Sequence, residues 1–215
     1  MSAVREEILA AIHRASPENG AALEADYAAI AREYPASGAL DEAGRLHLLE
    51  ERLLDYGATV YRCAVTEIAD AVAHALSARS KKSLVIPRGL PRKWLPGGFV
   101  FTIDEALAYG ELDGCEGALT GCALAIALTG TIVLRHSDPE GRRALTLIPD
   151  YHLCVVRASQ VVETVVEGMR AIARFGPDPV TTISGPSATS DIEMTRIEGV
   201  HGPRVLDVIF AGGQE

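Results

Sequence analysis

From residue 58 onward, short strand-like runs alternate with helical stretches, and this alternation restricts the fold more than any other feature of the chain. Residues 59–65 read as a strand, 66–76 as a helix and 83–86 as a short buried strand that stops at Pro87. Residues 99–102 form another short strand, followed by a helix from Asp104. Strands alternating with helices bury their apolar faces as a mostly parallel sheet with helices packed on it. The run Gly117 to Leu128 is small and apolar, as in a strand region covered on both faces. Residues 131–135 and 144–148 flank the turn-rich segment 137–141 and read as a hairpin. Then come a strand over 151–157 and a helix over 161–173, with Val162, Val165, Val166 and Met169 on one face. A strand over 180–184, a short helix from about 191 and a last strand over 204–210 complete the pattern.

The front of the chain reads differently. Val4, Ile8, Leu9 and Ile12 recur at helical spacing, and Ser16-Pro17-Glu18-Asn19-Gly20 breaks that helix. A second helical stretch covers about 21–33. A third starts at Asp41, carries Leu46, Leu49, Leu53 and Leu54, and stops at Gly57. The domain expectation is therefore a helical extension over 1–56 and an α/β domain over 57–215.

Charge and cysteine usage narrow the function classes. The formal charge is −9, from 20 basic and 29 acidic residues, which argues against nucleic acid or an anionic membrane as the main partner. The one compact basic cluster with an aromatic, Arg88 to Trp94, reads as a solvated loop or as the wall of an anion site. Cys63, Cys115, Cys122 and Cys154 include no C-x-x-C pair, so no metal centre is expected in this chain; without a Walker A or dinucleotide fingerprint, no other cofactor is expected either. The N-terminus lacks an apolar signal core, and the longest apolar stretch falls far short of the roughly twenty residues a membrane helix needs. A cytoplasmic protein without a membrane span is expected.

Three loops carry the candidate chemistry. In Ser184-Gly185-Pro186-Ser187-Ala188-Thr189-Ser190-Asp191-Ile192-Glu193, a strand runs into a small-residue loop that opens a helix. Gly185 lets backbone approach a ligand closely. Ser187, Thr189 and Ser190 offer hydroxyls, and the unpaired N–H groups of a helix start favour a carboxylate or phosphate. Ser190 and Glu193 also fit a capping box, which satisfies the helix itself. Asp191, in the first turn, is a helix-stabilising charge or a base. In Gly199-Val200-His201-Gly202-Pro203 an imidazole is held on a turn, able to donate to an oxyanion, exchange protons or simply bond backbone. Thr129-Gly130-Thr131 brackets a glycine with hydroxyls, as an anion nest or a strand bend does. Glu116 and Asp113 precede the small apolar run and are a general base, a nucleophile or solvated loop residues. His13, His47, His74, His136 and His152 lack paired metal-ligand spacing and read as structural or surface. The proposed ligand set is thus Thr129, Gly130, Thr131, Ser184, Gly185, Ser187, Thr189 and Gly202, with Glu116, Asp191, Glu193 and His201 as candidate catalytic groups.

The segments 127–131, 147–152, 184–193 and 199–203 together resemble the LUD-domain (lactate utilization) family in its LutC/YkgG-like branch, over roughly residues 58–210. The resemblance implies a three-layer α/β/α sandwich with a Rossmann-like sheet, as in NagB, RpiA and CoA transferases. It also implies a part in oxidising L-lactate to pyruvate, beside LutA/LutB-like iron–sulfur proteins that hold the clusters. Many relatives carry an acidic residue where this chain has Leu128. If that carboxylate performs chemistry elsewhere, this member lacks the step or uses Glu116 or Glu193.

Three functions remain in play at this point. The first is a subunit of a lactate-oxidising assembly that binds a small carboxylate, a phosphate or a partner without a redox cofactor of its own. The second is a stand-alone phosphosugar isomerase or CoA-transferase-like enzyme. The third is a non-catalytic scaffold on the same fold. A homodimer is compatible with each.

Overall fold

The structure is a computed structural model and describes residues 3–15, 20–31, 33–189, 197–198 and 202–212. The chain divides into two compact units, Met1–Tyr34 and Pro35–Glu215. The smaller carries α1 (Ala3–Ala15) and α2 (Gly20–Ala29). On α1 the apolar positions Val4, Ile8, Leu9 and Ile12 are all exposed.

The larger unit opens with α3 (Glu42–Asp55), whose start is fixed by Asp41: its carboxylate accepts the Gly44 N–H at 2.7 Å. Leu46, Leu49 and Leu53 recur at three- and four-residue spacing and are buried in the main core. The boundary expected at 56/57 therefore moves to 34/35. A helix that contributes three buried leucines to the core belongs to the α/β unit, whatever its local pattern suggests.

The six-stranded sheet contains β1 (Thr59–Cys63), β2 (Ser83–Ile86), β3 (Val100–Ile103), β4 (Ala118–Thr120), β7 (Tyr151–Arg157) and β12 (Val205–Ala211). Its order is β1-β12-β7-β4-β2-β3, and every pair is parallel. Side chains alternate across it with the period of two that a strand imposes. Tyr151, Leu153, Val155, Ile209 and Ala211 pack on one face with Ile68, Val72 and Leu76 of α4 (Ile68–Ala78). Cys154, Val156, Leu206, Val208 and Phe210 pack on the other, with α3 and a second sheet. The α/β class with a parallel sheet flanked by helices agrees with the sequence reading.

That second sheet was not expected. It has the order β8-β5-β6-β9 and contains β5 (Leu124–Ile126), β6 (Thr131–Arg135), β8 (Val161–Val162) and β9 (Val180–Ile183). The apolar run 117–128 is thus two strands in two sheets, β4 and β5, separated at Gly121–Ala123. The hairpin joins β5 to β6, Ile126 opposite Thr131, and not 131–135 to 144–148. Residues 143–146 form a 3₁₀ turn instead. The expected helix over 161–173 begins as β8 and becomes helical only in α6 (Val165–Ile172), where Thr164 caps it by accepting the Glu167 N–H. The helix expected from Asp104 is the short α5 (Tyr109–Asp113). Two two-residue strands, β10 (Ala188–Thr189) and β11 (Ile197–Glu198), pair antiparallel. The helix expected from about 191 lies outside the described residues. Among the described residues no helix is long and apolar enough to cross a membrane.

Candidate functional site

Three of the hydroxyls picked out by sequence, those of Thr129, Thr131 and Ser184, meet on the smaller sheet. The β5–β6 turn is a 3₁₀ turn closed by Gly130 in the left-handed region (φ +61°). A Cβ there would lie 2.7 Å from Arg52 Cβ of α3, so the position demands glycine for both conformation and space. The turn places the Thr129 hydroxyl 2.8 Å from that of Thr131. Antiparallel pairing of β6 with β9 sets Ile132 opposite Ile183, and Thr131 Oγ1 lies 2.9 Å from Ser184 Oγ just beyond. A line of three hydroxyls thus runs across the smaller sheet from the β5–β6 turn to the end of β9.

Ser184 also opens onto a cavity of about 240 Å³. Ser184, Gly185 and Ser187 form one wall, and Gly202 and Pro203 a second. The Ser187 N–H donates to Pro203 O at 2.8 Å, which ties these two loops together. Gly185 and Gly202 adopt φ +82° and +146°, conformations that side chains disfavour. The sequence expectation that the two loops share a crevice is met by their described parts. Thr189 sits in β10. Asp191, Glu193 and His201 lie outside the described residues.

The remaining walls come from residues read as structural or passed over in the sequence. His152, the second residue of β7, lines the cavity although only 1% exposed. Register pairs β7 with β4, and His152 Nε2 lies 2.8 Å from Thr120 Oγ1. Its Nδ1 has no hydrogen-bond partner among the described residues. Burial, and then the nearby Arg143 cation, push the imidazole pKa down to about 4, so the ring is neutral at physiological pH. Arg143, on the 3₁₀ turn, is half-buried and lines the same cavity. One of its amino nitrogens donates to Thr146 O (3.1 Å) and Oγ1 (3.3 Å). Burial lowers its pKa, and no described carboxylate lies within ion-pairing distance. A desolvated cation without a counter-ion is costly unless an anion joins it.

Glu116 does not line this cavity. Its carboxylate accepts from Lys82 N, Ser83 N and Ser83 Oγ at 2.7–2.9 Å, tying the β4 loop to the start of β2. Those bonds hold it below the usual carboxylate range and make it a poor proton acceptor. The basic run is also elsewhere: Arg88 pairs with Glu105 at the surface and Trp94 is buried in the core. Leu128 is exposed. A second cavity, of about 260 Å³, lies at the carboxyl ends of β2 and β3, where open α/β sheets commonly bind ligands. There Arg142 is already neutralised by Asp104, with bonds of 2.7 and 2.9 Å. An arginine and an imidazole nitrogen that lack partners among the described residues favour the first cavity.

A family model described as "LUD domain" matches residues 5–211. A protein from Deinococcus radiodurans named "Lactate utilization protein C" is 48% identical over 182 residues, covering 83% of this chain and 85% of the relative. The "Uncharacterized protein YkgG" of Escherichia coli is 35% identical over 109 residues, 46% of this chain and 47% of its own. A crystal structure of a DUF162 family protein from Deinococcus radiodurans superposes with a TM-score of 0.70 at 43% identity, covering 81% of this chain and all of that one.

Proposed function

The chain belongs to the LUD-domain family, and from that premise we propose that it is a LutC-like component of a cytoplasmic L-lactate utilization system that binds a small carboxylate or phosphate. The name of the Deinococcus radiodurans relative supports the physiological role, because the likeness runs through most of both chains. The observation that carries the ligand class is the half-buried Arg143, without a carboxylate partner among the described residues, in a cavity walled by Ser184, Gly185 and Ser187. A bound anion neutralises the guanidinium and accepts from nearby hydroxyl and peptide donors.

Oxidation of lactate to pyruvate releases two electrons and two protons. In this reading LutA/LutB-like iron–sulfur partners take the electrons, and this chain holds an anionic reactant or docks it to them. A deletion strain of the source organism tests the role: it should fail on L-lactate as sole carbon source, grow on pyruvate, and recover with the wild-type gene. Normal growth of the deletion strain on L-lactate would refute it. Affinity purification of the chain from lactate-grown cells should bring down brown, cluster-bearing proteins; a colourless lone chain counts against the partner assignment. Calorimetry with L-lactate and inorganic phosphate tests the anion site, which fails if neither binds.

A further inference from the structure

We infer that the open edge of β1 and the adjoining side of α4 form a docking groove for an extended, basic segment of a partner protein, which joins the larger sheet as an added strand. The groove shares no lining residue with the cavity of Arg143. β1 is an end strand of the six-stranded sheet. Along a strand, successive residues turn their N–H and C=O groups to opposite sides. Cys63 O accepts from Gly212 N at 3.1 Å, so Cys63, and with it Tyr61, faces β12. Val60 and Arg62 therefore turn their backbone groups outward, and among the described residues nothing beyond the sheet bonds them. An edge of this kind is a template for another strand.

Side chains define what such a strand meets. Val60 packs with the core on the α3 side, and the Arg62 guanidinium donates to Glu50 Oε2 of α3 at 2.9 Å. Tyr61 and Cys63 lie on the other face, where Tyr61 meets His74 of α4 edge-on at 5.5 Å. Glu67, Asp70, Ala71 and His74 recur three and four apart, so they share one side of the helix. Together with residues 60–63 they line a groove of about 530 Å³. Its arginine is already paired with Glu50. Glu67 and Asp70, both exposed, have no cation within ion-pairing distance among the described residues. An extended guest alternates its side chains, so residues two apart enter the groove together. An apolar one fits over the small Ala71, and a lysine or arginine complements Glu67 and Asp70. Two-fold antiparallel pairing of β1 with a second copy offers this side Tyr61 and Cys63 and no cation, which favours a different, basic partner.

Fluorescence anisotropy on the full chain tests this with a short labelled peptide that carries Lys, Val and Lys at alternate positions and Thr between them. The peptide should bind, and should bind more weakly as salt rises. Glu67→Gln/Asp70→Asn should weaken it about fivefold, the worth of two exposed ion pairs. Replacing both peptide lysines by glutamate should abolish binding. Two N-methylated forms separate strand pairing from charge attraction. A strand bonds one neighbour through alternate residues. Methylating either the Thr nitrogens or the Lys and Val nitrogens should therefore abolish binding, while the other form still binds. In the wild-type chain, saturating peptide should slow amide exchange at Val60 and Arg62 by at least about tenfold and leave Tyr61 and Cys63 little changed. Absence of binding, binding of both methylated forms, or unaltered exchange at Val60 and Arg62 overturns the proposal. So does a chain that sediments as a dimer with those two amides already protected, because the edge then belongs to a second copy.

Discussion

Acidification should expose two buried groups that pull stability in opposite directions. His152 is neutral and 1% exposed, with its pKa down from 6.5 to about 4. The unfolded chain therefore takes up a proton near pH 6.5 that the folded chain refuses. Its contribution to stability is complete above pH 6.5 and is lost as pH falls towards 4. The loss runs at about 1.4 kcal/mol per pH unit, or roughly 2–3 kcal/mol between pH 6.5 and 4.5. Glu140 is 4% exposed, and burial raises its pKa from 4.5 to about 7. Its sign is reversed: the folded state keeps a proton that the unfolded state releases, so stability is complete below pH 4.5 and falls as pH rises to 7. Urea unfolding of the wild type, His152→Asn and Glu140→Gln at half-unit steps from pH 4.5 to 7.5 separates the two. His152→Asn should have a steeper gain in stability on acidification than the wild type, and Glu140→Gln a steeper loss. Parallel pH curves for the wild type and His152→Asn would refute the claim that the imidazole is buried in its neutral form.

Two further changes probe the frame around the site. Asp207 is fully buried and is held by Arg79 at 2.7 and 3.0 Å and by the Tyr151 hydroxyl at 3.1 Å. Arg79→Met strands that carboxylate and should cost about 3–5 kcal/mol, read as a fall in the urea midpoint, with Arg79→Met/Asp207→Asn regaining part of it. A Cβ on Gly117 would sit 2.6 Å from Tyr151 Cδ1 and 2.8 Å from Leu84 Cδ2, so Gly117→Ala should cost about 1–3 kcal/mol by overpacking, checked by calorimetric melting.

The legible parts of the sequence were those governed by local pattern. The strands at 59–63, 83–86, 151–157 and 205–211 and the helix α4 fall where period and punctuation put them. The reading failed where tertiary pairing decides. Gly121–Ala123 interrupts an apolar run without a strong break signal, so its division between two sheets depends on which strands lie alongside. Val161 and Val162 are strand only because β5 pairs with them. The hydroxyls of Thr129, Thr131 and Ser184 were found because small polar residues beside glycine are conspicuous in sequence. Arg143 and His152 were missed for the converse reason. Nothing local marks an arginine as lacking a counter-ion among the described residues, and the burial of the His152 ring against Thr120 arises from the β4–β7 register, which brings in a residue 32 positions away.

The division of residues 118–135 between two sheets also gives the site a mechanical property. Thr181–Ser184 ride on the smaller sheet, whereas His152 and Leu206 are anchored in the larger one. The gap between these walls is set by the thickness of the apolar filling between the sheets, where Ile132 and Leu134 meet Cys154 and Val156. Trimming a methyl group there should change the width of the cleft, at positions that do not line it. Evolution can thereby adjust ligand fit without altering a recognising group.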